Sequence, residues 1–245
     1  MTRASRIAFR IIAVSALVSV AGCAGVGGSY PLGDILGGSG GALDEPTVAA
    51  GLKEALRVGT ERTVASTGKV DGFFANQLIR IVMPEELESA AAALRTIGMR
   101  KQVDEFELAM NRAAEKSAGE AADVFWGAIK KMTIAEAFDI LGGEETAATD
   151  YFRAHTSDEL RRRFGPIVTD KMGEVGLYNA YNGLMDRYTA LPLVEKPVFD
   201  LDEYITERAL SGMFTVLASE EKRIREDPAA RTTELLRKVF GRESE

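Results

Sequence analysis

VDEFELAMNRAAEKSAGEAADVFWGAIKKM, residues 103–132, is the stretch whose periodicity decides how the chain is read. At 3.6 residues per turn, Val103, Phe106, Met110, Ala113, Ser117, Ala121, Val124 and Ala128 fall on one line, because their spacings are all three or four. A second line, Leu108, Asn111, Glu115, Ala118, Ala122, Phe125 and Ile129, runs beside it. Two adjacent faces are therefore mostly apolar and small. Glu105, Arg112, Lys116, Asp123 and Lys130 occupy the remaining face, the pattern of a central helix packed on two sides. Within the second line, Asn111 and Glu115 are polar residues at buried positions. A carboxylate taken out of water must be paired, hydrogen-bonded or protonated, since an unpaired buried charge costs several kcal/mol.

Outward from this helix the chain reads as further helices. Asp44 is placed to cap a helix with Val48, Leu52, Ala55 and Leu56 on its apolar face, and Lys69-Val-Asp-Gly forms a turn. Phe73 to Met83 is apolar without a deciding period. Pro84 opens a helix with Leu87, Ala91, Leu94 and Ile97 inward and Gly98 as its stop. Beyond the central stretch, Thr133-Ile-Ala-Glu136 reads as a capping box. A short helix carries Ala147 to Phe152. Thr156 or Ser157 caps another, which bears Leu160 and Phe164 and is expected to end at Gly165-Pro166. Residues 167–191 are helical in pattern with glycine interruptions. Asp200 caps a long helix through Ile224, and Asp227-Pro228 ends it and caps a last one with Leu235, Leu236, Val239 and Phe240. No pair of alternating runs suggests a hairpin, so the expected fold is all-α. One multi-helix domain at residues 44–245 is packed around the central helix.

Before that domain, residues 1–22 have the parts of an export signal: Arg3, Arg6 and Arg10, an apolar run from Ile11 to Val20, then small residues. Val20-Ala21-Gly22-Cys23 resembles the bacterial lipobox, in which the cysteine is lipidated and becomes the new N-terminus. The expected partner is thus a membrane, reached through several acyl chains on Cys23, which anchor stably where a single chain would not. Ala24 at the following position fits the periplasmic face of the outer membrane by analogy with lipoprotein sorting. Residues 24–43 are glycine-rich and read as a tether spanning roughly 25 Å root-mean-square. The signal, the lipidated Cys23 with its tether, and the helical domain are the three expected segments.

Composition narrows the chemistry. The formal charge is −7, and without residues 1–22, which hold three arginines and no acids, 27 bases face 37 acids, a balance of −10. An acidic body argues against nucleic acid as a partner, because phosphates are neutralised by Lys and Arg. Arg161, Arg162 and Arg163 point in different directions around a helix and read as solvated. One cysteine and one histidine, Cys23 and His155, exclude a disulfide framework within the chain, a Cys/His zinc site and a Cys/His nucleophile pair. His155 reads as a loop residue. Neither a metal site nor a cofactor is expected.

Several segments together resemble a bacterial lipoprotein family known only as a domain of unknown function (DUF, number 4197): GLKEAL at 51–56, DGFFAN at 71–76, MNRAAE at 110–115, AATDYF at 147–152 and EEKRIREDPAARTTELLRKVFG at 220–241. The resemblance implies an exported, largely helical envelope protein and brings no reaction or catalytic residue.

Two functional expectations follow. The first is a lipid-anchored envelope protein acting as a binding or structural module for another envelope protein or an apolar ligand. The alternative is a carboxylate-dependent cell-envelope hydrolase using Glu115 with Glu220 or Glu221, which requires two carboxyl groups about 5 to 10 Å apart across an open cleft. A structural expectation separates them. Asn111, Glu115, Glu221, Arg225 and Arg231 should form one buried polar cluster, with Arg225 or Arg231 as the charge partner of Glu115 and Thr232 or Thr233 as donors.

Overall fold

A computed structural model describes residues 43–135 and 137–241. Among them are nine α-helices and one 3₁₀ turn, with no strand. The helices are α1 (Glu45–Thr67), α2 (Glu85–Thr96), α3 (Arg100–Gly119), α4 (Ala122–Lys131), α5 (Ala137–Leu141), α6 (Ala147–Glu174), α7 (Leu177–Thr189), α8 (Leu201–Glu226) and α9 (Glu234–Phe240). The expected signal, Cys23, nearly all of the tether and Glu136 of the capping box lie outside the described residues.

The central stretch is two helices rather than one. All eight residues of its first apolar line are buried, from Val103 to Ala128, as their spacing predicts. The backbone nevertheless turns at Gly119–Ala121, where the Glu120 and Ala121 amides donate to the Ser117 and Ala118 carbonyls three residues back. Close packing places the break. A Cβ on Gly68, at the end of α1, would lie 2.7 Å from the Gly119 Cα, so the two helix ends meet backbone to backbone and only glycine fits. α3 contacts α1, α2, α6, α7 and α8, while α8 packs along α1 and α6. Phe125, Phe152 and Phe214 meet at the join of α4, α6 and α8, with ring centroids 5.6 to 6.0 Å apart.

The proline stop at Gly165-Pro166 does not occur, because α6 continues through both residues for 28 residues in all. Phe152, Thr156, Leu160, Phe164, Val168 and Met172, each four apart, form one unbroken buried line. Pro166 is on the exposed side, where the backbone carbonyl it leaves unpaired can be hydrated. Tertiary burial of six side chains outweighs one lost helix hydrogen bond. Neither Thr156 nor Ser157 caps a helix. Their hydroxyls donate to the Phe152 and Arg153 carbonyls inside α6. The stop comes at Gly176, whose φ of 71° lies in the left-handed region.

Other sequence signals are local and hold. Asp44 accepts from the Thr47 amide at 2.9 Å and Asp200 from the Glu203 amide at 2.9 Å, both as N-caps. Gly98 ends the α2 segment with φ 88°. Asp227 caps the 3₁₀ turn Pro228–Ala230 rather than the last helix, which Thr233 caps through the Leu236 amide. Asp202 accepts from the Thr169 hydroxyl and the Tyr178 phenol, both at 2.7 Å, and so joins α6, α7 and α8.

Gly68→Ala should lower stability by about 1 to 3 kcal/mol, since the clash is with backbone that cannot rotate away. Urea denaturation checks it, and an unchanged midpoint would refute the close-approach account. A second expectation concerns alkaline stability. Burial first and the hydrogen bond to Asp202 second push the Tyr178 phenol up to about 12 from an ordinary 10.0. Folding favours the protonated phenol, so its contribution is complete below pH 10 and is lost as the pH rises toward 12. Wild type should therefore lose stability more steeply across that window than Tyr178→Phe, measured by denaturant midpoints at stepped pH.

Candidate functional site

The buried polar residues expected to form one cluster form two. α3 carries the first. Its Glu115 is 3% exposed, and one carboxylate oxygen accepts from the amides of Phe73 and Phe74, both at 3.1 Å. The other accepts from Arg112 at 2.5 Å. Arg112 in turn reaches Asp71 at 2.8 Å, and Asp71 is a non-glycine residue at φ 65°. The hydrogen bond to Glu115, with a further one to Asp71, raises the Arg112 guanidinium above its already high ordinary range. One turn earlier, Asn111 spends both ends of its amide on one residue. Its oxygen accepts from the Ile81 amide at 2.9 Å, and its nitrogen donates to the Ile81 carbonyl at 2.7 Å.

These contacts explain the stretch from Phe73 to Met83 that periodicity left open. It is neither helix nor strand but a series of turns followed by irregular chain, hydrogen-bonded to Glu115 and Asn111 of α3. Such backbone has no ladder of its own, so its inward groups need side-chain partners. Glu115 and Asn111 supply them at spacing i, i+4 on one helix face. Phe73, with no exposure, plugs the core beneath, and Phe74 lies outside under the guanidinium of Arg80 at 4.2 Å.

The second cluster joins α8 to the helix ends around it. Glu221, 1% exposed, accepts from the amides of Ala148 at 3.0 Å and Thr149 at 2.7 Å, and from the Thr149 hydroxyl at 2.6 Å. It thus satisfies two of the orphan amides in the first turn of α6, with its negative charge at the positive end of that helix. Arg225, four residues on, pairs with Glu221 at 2.9 Å and donates to the carbonyls of Leu141 at 2.7 Å and Ile140 at 3.0 Å, at the C-terminus of α5. Arg231 folds back on α8 itself and donates to the Ile224 and Arg225 carbonyls.

The expected pairing of Glu115 with Arg225 or Arg231 is therefore wrong. So is the expectation of Thr232 or Thr233 as its donors, Thr233 being the cap of α9. Apart from the Thr149 hydroxyl on Glu221, each buried charge meets backbone or a neighbour on its own helix, and backbone partners carry no residue-type signature that could have revealed them. Only the Glu221–Arg225 pair, at i, i+4, was legible. Glu220 lies at the surface of the same helix, bound by Arg62 at 3.3 Å. Glu115 and Glu221, sealed under different elements, do not flank an open cleft.

His155 is in helix α6 rather than a loop. It is exposed and stacked on Tyr151, with ring centroids 4.0 Å apart, and its Nδ1 donates to the Tyr151 carbonyl at 2.8 Å. With Tyr151 and Glu159 it borders an open groove of about 380 Å³. A shallower one, of about 570 Å³, runs past Phe74 and Leu108. A smaller and more enclosed cavity of about 210 Å³ lies between α1 and α4, beside Trp126, the single tryptophan of the chain. Among the described residues no cluster of three His, Cys, Asp or Glu side chains is placed to hold a metal ion. No described helix is long and apolar enough to cross a membrane.

Residues 42–241 match the family described as protein of unknown function (DUF4197). The chain belongs to that family, and its described residues form an all-α domain whose helices enclose two internal brackets of charge. Neither a curated protein nor a solved structure matches it.

Replacing Glu115 by Ala should cost about 3 to 5 kcal/mol, because two amides and a guanidinium lose their acceptor together. Glu115→Gln keeps one carbonyl oxygen for the amides and should cost less than half of that. Equilibrium urea unfolding of both variants tests the bracket, which fails if Ala costs under about 1 kcal/mol.

Proposed function

We propose that the protein is an exported envelope lipoprotein, anchored through lipid on Cys23, whose helical body is a binding or structural module held off the membrane by its glycine-rich tether. The observation that carries this reading is Val20-Ala21-Gly22-Cys23 after a basic start and a short apolar run. The fate of the buried carboxylates supports a holding body over a hydrolytic one. Glu115 and Glu221, which a hydrolase would need free beside substrate, each accept two or more backbone and side-chain hydrogen bonds. General acid–base chemistry requires the proton-carrying group within reach of substrate. A carboxylate fixed beneath a turn or a helix start serves the fold instead.

In this reading the membrane partner is met by acyl chains, and the periplasmic face of the outer membrane is the proposed address. The net acidic body favours protein or neutral ligands over nucleic acid and anionic lipid surfaces. Expression of the full chain in a Gram-negative host followed by detergent phase separation tests the anchor. Wild type should partition with the detergent and Cys23→Ala with the aqueous phase. Equal partitioning of the two would refute lipidation at Cys23.

A further inference from the structure

Arginines that leave the surface of this domain are spent inside it, with one exception. Arg57, Arg62, Arg95 and Arg112 pair with carboxylates, and Arg225 and Arg231 donate to backbone carbonyls. Arg153, half-buried on α6, does neither. Its guanidinium lies over the Phe214 ring of α8, 4.9 Å from the centroid, and makes no hydrogen bond or ion pair among the described residues. Nε is sealed from solvent without an acceptor, whereas the two terminal nitrogens are not sealed. The side chain lines a cavity of about 190 Å³ between α6 and α8, whose residues belong to neither bracket. The ring face offsets part of the charge. A half-buried guanidinium with no carboxylate beside it, in a chain where acids outnumber bases, still carries a charge that an incoming acceptor can compensate.

The remaining charges of the lining select the sign of the ligand. Arg161 and Glu207 pair with each other, and the Arg161 Nη1 also reaches Asp158 at 2.8 Å. Within the lining that pair cancels, so the charge left in excess is the one on Arg153. A cation would be repelled by it and a neutral molecule would leave it uncompensated, while one negative charge balances it. A dianion would set its second charge against Glu207. The donors narrow the class further. The terminal nitrogens of a guanidinium form a planar fork that matches both oxygens of a carboxylate. Nη2 of Arg161 has no acceptor, and Ser211, at an exposed position, has a hydroxyl free to donate. Ser157 cannot add to them, because its hydroxyl already donates to the Arg153 carbonyl at 2.6 Å. Leu210 and Phe214 wall the apolar side, and the volume is below that of a drug-sized site. We propose that this cavity binds a small organic monocarboxylate, its oxygens on the terminal nitrogens of Arg153, with Arg161 Nη2 and Ser211 as further donors and its short apolar chain against Leu210 and Phe214. The proposal names a ligand class for the binding reading of the body and rests on that reading.

The full-length protein, isotope-labelled on its arginine side-chain nitrogens and purified in a non-ionic detergent, is titrated at constant ionic strength with isobutyrate, isobutyramide, methylammonium and inorganic phosphate. The arginine Nε–H signals are followed by NMR. Because the Arg153 Nε is sealed, its proton should exchange slowly with water and give a resolved signal, assigned by its absence from Arg153→Met. A saturable shift of that signal with isobutyrate, at millimolar midpoint, and none with isobutyramide or methylammonium is expected. Phosphate should bind at least about tenfold more weakly than isobutyrate. Arg153→Met keeps an apolar stem on Phe214 and should abolish the isobutyrate response of the Arg161 signal. Ser211→Ala, at an exposed position, should fold as wild type and bind about threefold more weakly, which provides a second variant should Arg153→Met fail to fold. The proposal is overturned by no saturable shift with isobutyrate, by the amide, the amine or phosphate binding as tightly, or by wild-type isobutyrate affinity in the folded variants. Since the lipid anchor is tested by phase partition and not by these signals, failure of one leaves the other result readable.

Discussion

Backbone amides and carbonyls that come to lie under the surface of a core must find partners, and a multi-helix domain creates many of them where helices end and where chain crosses helices without forming one. Here that demand is met by long side chains from α3, from α8 and from Arg231 just beyond it. Glu115 takes two amides of the turn at Phe73–Phe74, and Glu221 takes two amides at the start of α6. Arg225 and Arg231 take carbonyls at the ends of α5 and α8, while Asn111 serves both groups of Ile81. The charges are of the sign that each helix end prefers, carboxylates at the N-terminus and guanidinium groups at the C-termini. Without these brackets, the segment between α1 and α2 would have no reason to cross α3 in one place.

The same arrangement separates fold from function within the molecule. Residues that look most chemical in the sequence, the buried acids and arginines, are occupied in joining elements. Chemistry available to a partner lies elsewhere, at surface positions such as the cavity beside Arg153, where Arg161 and Ser211 stay open to solvent. That small mixed-polarity cavity is the part of the helical body that the proposed binding role would use.

Helical class, the caps at Asp44 and Asp200, the stop at Gly98 and the buried line from Val103 to Ala128 were all legible in the chain, because each depends on side chains within one or two turns of one another. The lipobox-like Val20-Ala21-Gly22-Cys23 is a local pattern too, read from the sequence alone because it lies outside the described residues. Pro166 misled for the opposite reason. Its local preference is real, but six buried side chains on one face of α6 outweigh it, and their partners are on other helices.

By itself the sequence determined that Glu115 and Asn111 would be buried and would need partners, since periodicity places them among core residues and desolvation enforces the rest. Tertiary structure alone decided what those partners are. An amide of Phe73 or a carbonyl of Leu141 is the same chemical group in every residue, so nothing in the order of side chains marks which one will be brought to a given carboxylate or guanidinium. The cavity beside Trp126 was hidden in the same way. Its lining comes from two helices more than 50 residues apart in sequence, and only their packing brings the two sets together.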